Sequence, residues 1–221
     1  MNFSLIVCTY MRPKALTDLL DSVKLQTNYP DQIIIVDGST NTKTKEVLSN
    51  ESYENLRYYL VDENERGLTK QRNFGIAKVT SDSEVIAFVD DDTKLSKNYF
   101  KVLIDTFKRD SNIIGVGGVA ANEYRWKKKN LDIKYNTYRY YSFDNYVYKE
   151  GLRNVVRNYL GLQSDKHPGV MPTYSNGRTC GYPDTGKVYE VDQIIGMSFS
   201  FKKEVFSNIN FSTYFEGYGL Y

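Results

Sequence analysis

Side chains that bind metals tightly or cross-link the chain are scarce in this sequence. Its 221 residues include two cysteines, one histidine and one tryptophan. Cys8 and Cys180 lie far apart, do not form the closely spaced pair of a metal site, and Cys8 is typical of a small buried strand residue. His167 lies in a loop-like segment and is assigned no role. The low cysteine content favours a reducing cytoplasm as the location of the protein.

Long apolar runs and a strong charge of one sign are also missing. No apolar run is long enough to cross a bilayer, and the first residues lack the basic leader of a signal peptide. The 29 Lys and Arg residues nearly balance the 27 Asp and Glu residues, and a net charge of +2 does not argue for nucleic acid as a partner. We therefore expect a cytoplasmic globular protein, and the inner face of the plasma membrane stays open as its place of action.

Strands and helices alternate along the first half of the sequence. Apolar runs rich in β-branched residues predict strands at Phe3–Thr9, Gln32–Asp37, Leu56–Val61, the segment that ends at Asp90, and Ile113–Val119. Apolar residues at helical spacing predict helices that begin at Pro13 and cover Lys43–Asn50, Thr69–Lys78 and Asn98–Lys108. This alternation predicts an α/β fold, with a Rossmann-like, mostly parallel sheet and helices on both faces.

The composition changes in the second half. Tyr124 to Leu160 is dense in Tyr, Lys, Arg and Asn, and only Gly151–Leu160 shows helical periodicity. His167 to Asp184 is rich in Pro, Gly, Thr and Ser, which predicts a loop. Val188–Ile195 is predicted to be a strand. There are no internal repeats, so we expect one domain with a decorated second half.

The most informative stretch is Glu84–Thr93, a short apolar strand that ends in Asp90, Asp91 and Asp92. Three neighbouring carboxylates repel one another, and a divalent cation with oxygen ligands, Mg²⁺ or Mn²⁺, would compensate that repulsion. The carboxyl end of a strand in an open α/β sheet is also where ligands bind. The stretch therefore predicts a site for a metal and a phosphate-bearing substrate, and a solvated acidic turn is the alternative.

Other predicted strand ends carry polar residues as well. Cys8–Pro13 closes the first strand, Val36–Ser39 closes the second, and Arg66–Gly75 is a basic, glycine-bounded start of a helix. Helix starts and guanidinium groups both favour phosphate. Together with the three carboxylates, they would suit a nucleotide diphosphate.

Five segments together resemble the family 2 glycosyltransferases, which are inverting enzymes with the A-type fold of nucleotide-diphospho-sugar transferases. These segments are Ser4–Pro13, Ile34–Ser39, Gly67–Gly75, Phe88–Thr93 and Gly196–Phe206. The resemblance implies a single glycosyltransferase domain over residues 1–221. Residues 1–123 would be its nucleotide-sugar-binding half, and residues 124–221 its acceptor-side half.

The resemblance also implies a reaction. A metal-dependent glycosyltransferase would move a sugar with inversion from a nucleotide-diphosphate donor, expected to be a UDP-sugar, to a saccharide or lipid-linked acceptor. Its cofactor would be Mn²⁺ or Mg²⁺. The pathway would be the synthesis of a cell-surface polysaccharide or glycolipid.

Four residues at the first two strand ends would bind the nucleoside, according to the resemblance. Thr9, Tyr10 and Arg12 would border the base and the ribose. Asp37 would accept a hydrogen bond from the base. The alternatives are strand-end packing for Thr9 and Tyr10, and a simple turn start for Asp37.

Five further residues would hold the rest of the donor. Lys70 and Arg72 would face the base or the diphosphate, although a solvated helix residue is the alternative for Arg72. Asp90 would hold the ribose or the sugar, and Asp91 the donor sugar. Asp92, with Asp90 beside it, would bind the metal that bridges the diphosphate.

The acceptor side and the general base complete the expected site. Gly196 and Met197 would form the floor beneath the acceptor. An inverting transfer needs a base to deprotonate the acceptor hydroxyl, and in the family this base follows a segment similar to Phe215–Tyr221. The sequence ends there, so a chain truncated at its C-terminal end is expected. Glu216 would be the substitute for the base, and the alternative is that it orients the acceptor or caps the loop.

Several other functions compete with the one that the resemblance implies. A catalytically impaired module that binds a nucleotide-sugar or a glycan stays open. A sugar-phosphate nucleotidyltransferase would need a glycine-rich loop after the first strand, and Thr9–Pro13 has no glycine. A phosphatase of the haloacid dehalogenase kind is disfavoured by Lys94, where Thr or Val is usual. Peripheral membrane contact through the aromatic and basic segment Trp126–Tyr148 is a further hypothesis, with a solvated loop as the simpler alternative.

Overall fold

The computed structural model describes residues 1–123, 125–174, 177–178 and 180–215. Its residue contacts divide the chain into two compact units. Unit 1 comprises Met1–Gly118 and the segment that begins at Ile195, and unit 2 comprises Val119–Ile194. None of the described helices is long and apolar enough to cross a bilayer.

The helices and strands follow one another in the predicted alternation through the first half of the chain. The strands are β1 (Phe3–Thr9), β2 (Gln32–Asp37), β3 (Leu56–Leu60), β4 (Val85–Val89), β5 (Gly115–Gly117), β6 (Trp126–Lys128), β7 (Tyr140–Phe143), β8 (Tyr146–Lys149) and β9 (Ser198–Lys202). The helices are α1 (Pro13–Lys24), α2 (Lys43–Ser49), α3 (Leu68–Ala77), α4 (Tyr99–Arg109) and α5 (Leu152–Tyr159).

Among the described residues of unit 1, six strands form one sheet in the order β3-β2-β1-β4-β9-β5. The first four are parallel neighbours, and β9 runs antiparallel to both β4 and β5. Thr9 pairs with Asp37 across β1 and β2, and Ile6 pairs with Phe88 across β1 and β4. This register brings the carboxyl ends of β1, β2 and β4 to one edge of the sheet. The predicted α/β fold with a mostly parallel sheet is confirmed.

Helices cover both faces of this sheet. On one face, Phe3, Leu5 and Val7 of β1 belong to a buried cluster with the apolar sides of α1 and α4. The start of α1 follows from Pro13, which occupies a first-turn position where no backbone N–H is needed. On the other face, α3 lies so close to the sheet that a Cβ added at Gly75 would be 2.7 Å from Cγ2 of Ile6. Any other residue at that position would require the helix or the Ile6 side chain to shift.

The prediction of a strand at Val188–Ile195 is wrong. That segment contains no strand, and the N–H groups of Asp192 and Gln193 both donate to the carbonyl of Gly169 instead. The strand that enters the sheet is β9, where Phe199 stacks on Phe88 with ring centroids 4.8 Å apart. The predicted strand at Ile113–Val119 is reduced to β5, because its glycines supply no side chains to pack.

Unit 2 contains a small antiparallel sheet in the order β6-β8-β7, which the sequence analysis did not predict. The only tryptophan, Trp126, is buried in this unit, and its Nε1 donates to the carbonyl of Gly181 at 3.0 Å. Its ring packs against those of Tyr141, Phe143 and Tyr148. Aromatic rings therefore form much of the interior of this unit.

An ion pair is buried beside these rings. Nη1 of Arg178 lies 3.2 Å from Oε1 of Glu150, whose side chain is only 2% exposed. The Arg178 guanidinium also donates to the carbonyls of Ser164 and Lys166 and lies 3.7 Å from the ring centroid of Tyr141. Arg178 thus ties the predicted loop segment to the strand that ends next to Glu150.

Candidate active site

The ends of β1 and β4 are joined by a network of side chains. Thr9 Oγ1 donates to Oδ2 of Asp91 at 2.6 Å. Nη1 of Arg12, which immediately precedes α1, lies 3.3 Å from Asp91 Oδ1 and 3.1 Å from Asp92 Oδ2. Arg12 therefore bridges two of the three neighbouring carboxylates, while Asp92 stays well exposed to solvent.

The third carboxylate, Asp90, pairs with a guanidinium from α3. Nη2 of Arg72 lies 3.4 Å from Asp90 Oδ1 and donates to the carbonyl of Gly196 at 3.3 Å. The backbone N–H of Asp90 donates to the carbonyl of Met197 at 3.0 Å. Of the two predicted acceptor-side residues, Met197 is thus bonded directly to the acidic strand end, and Gly196 is bonded to it through Arg72.

Two aromatic rings fix the position of Arg72. Its Cζ atom lies 5.1 Å from the ring centroid of Phe199 and 5.3 Å from that of Phe211. Phe211 is itself held by Asn73, whose side chain exchanges two hydrogen bonds with the Phe211 backbone, at 2.8 and 2.9 Å. Arg72 is therefore an ordered part of the site and not a solvated helix residue.

Arginines supply the positive charge that the sequence analysis assigned to a metal alone. Burial raises the pKa of Asp90, and the positive charge of Arg72 opposes that shift. Burial likewise raises the pKa of Asp91, against the hydrogen bond from Thr9 and the charge of Arg12. Two guanidinium groups thus offset part of the negative charge of the three carboxylates, and a dication at this site stays a prediction.

Asp37 is fully buried at the end of β2. Its Oδ1 accepts from the backbone N–H of Ser39 at 2.8 Å, and its Oδ2 accepts from the hydroxyl of Tyr58 at 2.9 Å. The bond to Ser39 is the turn that was named as the alternative. Recognition of a base by Asp37 stays a prediction, and it would require the carboxylate to share or exchange the Tyr58 hydroxyl.

The structure gives less support to the predicted roles of Tyr10 and Lys70 than to those of the network residues. Tyr10 is half-exposed, next to Met11, whose φ of 57° is uncommon for a residue with a side chain. The Met11 N–H donates to Ser39 Oγ at 2.8 Å, which holds this turn in place. Lys70 lies in the first turn of α3, two positions before Arg72, and residues two apart on a helix do not share a face. The roles of Tyr10 and Lys70 stay predictions.

The sequence analysis missed Gln71. This buried side chain donates through Nε2 to the carbonyls of Thr9, at 3.1 Å, and Val36, at 2.8 Å. It therefore fixes the ends of β1 and β2 relative to α3. Gly75 could have indicated this role. Residues four apart lie on the same helix face, so a glycine that packs closely on the sheet implies that Gln71 faces the sheet as well.

The donor set at this edge suits a hard cation only in part. No cluster of three or more His, Cys, Asp or Glu side chains in the described part of the chain is arranged to hold a metal. The carboxylates of Asp90 and Asp92 are both partly exposed. One or two carboxylates with substrate phosphates are the usual ligands of Mg²⁺ in nucleotide sites, so these two residues fit such an ion.

Of two other residues, Cys8 and Glu216, the structure describes only Cys8. Desolvation raises the pKa of the Cys8 thiol to about 12, so this cysteine is a neutral thiol at physiological pH and a poor nucleophile. Glu216, predicted as a substitute for the general base, lies outside the described residues.

The sequence model of glycosyl transferase family 2 matches residues 4–165. The match covers β1 to β4, including the ends that carry the network of carboxylates and arginines. The chain belongs to this family.

Curated relatives carry names of the same class. The glucosyl-dolichyl phosphate glucuronosyltransferase of Haloferax volcanii is 28% identical over 131 residues, which are 58% of this chain and 41% of that protein. The O-antigen chain rhamnosyltransferase RfbN of Salmonella typhimurium is 31% identical over 96 residues, 43% of this chain and 30% of that protein. The chain thus spans less than half the length of these relatives.

Similar solved structures include Staphylococcus aureus TarS 1-349 in complex with UDP-GlcNAc, at 20% identity and a TM-score of 0.47. That match covers 78% of this chain and 51% of that one. The mannosyltransferase PcManGT of Pyrobaculum calidifontis, in complex with GDP-Man and Mn²⁺, matches at 22% identity and a TM-score of 0.45, covering 53% of this chain and 35% of that one.

Proposed function

We propose that this chain is a glycosyltransferase domain that binds a nucleotide-diphosphate sugar, expected to be a UDP-sugar, and transfers the sugar with inversion. The observation that carries the proposal is the network at the ends of β1 and β4, in which Arg12 and Arg72 pair with Asp90, Asp91 and Asp92. Membership of glycosyl transferase family 2 supports the same function.

The two arginines would bind the diphosphate. Guanidinium groups form charge-assisted hydrogen bonds with phosphate, and Arg12 is half-exposed and reachable by a ligand. A diphosphate that takes bonds from Arg12 would release Asp92 from that pair. The Asp92 carboxylate would then be available for a cation, so the same residues would pair with one another or bind donor.

Asp92 and Asp90 would hold Mn²⁺ or Mg²⁺ together with oxygens of the donor diphosphate. When bound, the ion would neutralise charge that grows on the leaving nucleoside diphosphate. Asp91, held by Thr9 and Arg12, would face the donor sugar, and Asp90 the ribose or sugar. Tyr10 and Lys70 would border the nucleoside and the diphosphate, and Asp37 the base.

The acceptor is proposed to be a saccharide or a lipid-linked saccharide, and the pathway the synthesis of a cell-surface polysaccharide or glycolipid. The names of the curated relatives, which refer to a glucosyl-dolichyl phosphate and to an O-antigen chain, support this class. Gly196 and Met197 would form the floor beneath the acceptor. Glu216 stays the proposed substitute for the general base.

Binding of donor can be measured without transfer. We expect thermal-shift and calorimetric titrations to show UDP binding that Mn²⁺ strengthens, because a ligand that binds the native state raises its melting temperature. Asp92→Ala should weaken the Mn²⁺-dependent part of UDP binding about tenfold or more. Manganese-enhanced UDP binding that survives Asp92→Ala unchanged would contradict the proposed metal site.

Asp18→Ala is the matched control, because the side chains of Asp18 and Asp92 are both 61% exposed and both pair with one cation. Asp18 lies on α1, outside the network, so its removal should leave UDP binding unchanged. Hydrolysis and transfer of UDP-sugars are then assayed on the same samples. Tight binding without turnover would favour the alternative function, a nucleotide-sugar-binding module.

A further inference from the structure

Helix α5 of unit 2 is amphipathic, yet none of its residues is buried. Its apolar side chains recur at intervals of three and four positions, which places them on one face. They are Leu152, Val155, Val156 and Tyr159, continued by Leu160 just after the helix. Leu152 and Tyr159 are 82% and 77% exposed. A helix in a globular protein normally buries such a face, so this one is left without its apolar partner among the described residues.

The same face borders an open groove of about 350 Å³. The opposite wall comes from the segment before β7, where Tyr138 and Arg139 lie. The rings of Tyr138 and Tyr159 are 6.0 Å apart, and Nδ2 of Asn158 donates to the carbonyl of Tyr138 at 3.0 Å. The groove is therefore built by hydrogen bonds and ring contacts and presents apolar side chains to solvent.

The charged residues of α5 and of the groove are basic. Arg153 and Arg157 lie on α5, Arg139 lines the groove, and α5 itself carries no acidic residue. Glu150, two positions before α5, is buried in its pair with Arg178 and contributes no exposed negative charge. An apolar stripe flanked by arginines is complementary to a surface that is apolar inside and anionic outside.

We propose that the α5 face, defined by Leu152, Val156, Tyr159 and the flanking Arg139 and Arg153, docks on a lipid bilayer that contains anionic headgroups. Interfacial helices combine a strong apolar face with arginines or lysines and low overall hydrophobicity, as α5 does. At eight residues α5 is too short to span a bilayer. A second copy of the chain fits less well, because its α5 face would bring the same arginines together.

The surface overlaps the segment Trp126–Tyr148, which the sequence suggested for membrane contact, at Tyr138 and Arg139. The three lysines of that segment are not part of the α5 face: Lys127 and Lys128 lie on β6, and Lys129 donates to the carbonyl of Asp144. The proposal does not depend on the glycosyltransferase function, since it predicts lipid binding without donor or acceptor.

Vesicle sedimentation with the full chain tests the proposal. We expect binding to vesicles of phosphatidylcholine mixed with phosphatidylglycerol, and much weaker binding to phosphatidylcholine alone. Leu152→Ser combined with Tyr159→Ser should reduce binding about tenfold or more, because it removes two apolar side chains that would be buried in the bilayer. Arg139→Gln with Arg153→Gln should reduce binding to the mixed vesicles by about tenfold and remove most of its salt dependence.

The matched control is Leu25→Ser with Val102→Ser, which removes two exposed apolar residues of unit 1 that are 70% and 56% exposed. This control should bind vesicles as the unmodified protein does. Three results would overturn the proposal: no binding of the unmodified protein to the mixed vesicles, an equal loss in the control, or a loss confined to a variant with Lys127, Lys128 and Lys129 changed to Gln. A dimer in sedimentation velocity that Leu152→Ser/Tyr159→Ser dissociates, without vesicle binding, would also overturn it and assign the face to a second copy.

Discussion

Units 1 and 2 are stabilised by different interactions. The interior of unit 1 is a continuous apolar layer, in which Leu5, Ile35 and Phe100 are fully buried and make no polar contacts through their side chains. In unit 2 the interior is built from aromatic rings and the buried pair of Arg178 and Glu150. Apolar burial is stabilising without a preferred direction, whereas a buried ion pair depends on its geometry.

This difference matches the position of the candidate active site. All the residues of the Arg12, Arg72 and aspartate network belong to unit 1, where β1, β2 and β4 hold them on a rigid sheet. Unit 2 instead has short strands and exposed apolar residues, which suit contact with other molecules. The chemistry is thus predicted to require unit 1, and recognition to use unit 2.

Loss of the buried ion pair is expected to have the largest effect. Arg178→Met should destabilise unit 2 by about 4 kcal/mol, because it leaves the Glu150 carboxylate buried without its cation. The only tryptophan, Trp126, lies in unit 2, so urea unfolding followed by its fluorescence reports on this unit. Arg153→Met removes an exposed arginine of the same unit and should change stability little. Equal effects of the two variants would contradict the conclusion that the buried ion pair stabilises unit 2.

Loss of apolar volume in unit 1 is expected to have the next largest effect. Leu5→Ala should destabilise the protein by about 3 kcal/mol, because Leu5 is fully buried between the sheet and its helices. Far-UV circular dichroism during urea unfolding measures this loss. Leu25→Ala is the control, since Leu25 is 70% exposed and should cost less than about 0.5 kcal/mol. A Leu5→Ala effect as small as the control would show that the sheet is not the stabilising core.

The smallest expected effect is a pH dependence at the candidate site. The positive charge of Arg12 opposes the burial that raises the pKa of Asp91, so Arg12→Gln should raise that pKa further. A carboxyl with a raised native pKa favours folding at low pH, and this contribution is lost as the pH rises through the native pKa. Arg12→Gln should therefore cost about 1 kcal/mol at neutral pH, and less as the pH falls below the titration of Asp91.

Titration of the Asp91 carboxyl by ¹³C NMR, with urea unfolding at acidic and neutral pH, measures both effects. Lys14→Gln removes the partner of the exposed Asp18 and serves as the control. An unchanged Asp91 titration in Arg12→Gln would show that Arg12 does not set the charge of this carboxyl.

Local patterns in the sequence predict the first half of the fold well. β1, β2 and β4 each contain a run of consecutive apolar residues, and α1 and α4 place apolar residues on one face, so each element can be assigned from a short window. In unit 2 the periodicity of Gly151–Leu160 predicted α5, but the strands could not be predicted in this way. These strands are three or four residues long, too short to show a period of two.

The candidate site was predicted in outline but not in its pairings. The position of Asp90–Asp92 at a strand end follows from the sequence alone. Which arginine meets which aspartate depends on the register of β1 with β4 and on the approach of α3, and no local pattern encodes either. The burial of Asp37 under Tyr58 likewise requires the pairing of β2 with β3.

The antiparallel strand β9 has a consequence for how such chains can diversify. β9 lies beside β5, and the Gly118 N–H donates to the carbonyl of Ser198 at 2.9 Å. The chain therefore leaves unit 1 and returns to it at neighbouring points, which is the arrangement that tolerates insertion or exchange of a segment. Residues 119–194 therefore form a segment that could be exchanged as a whole. Recombination could replace this segment while the sheet and its row of aspartates and arginines stay intact.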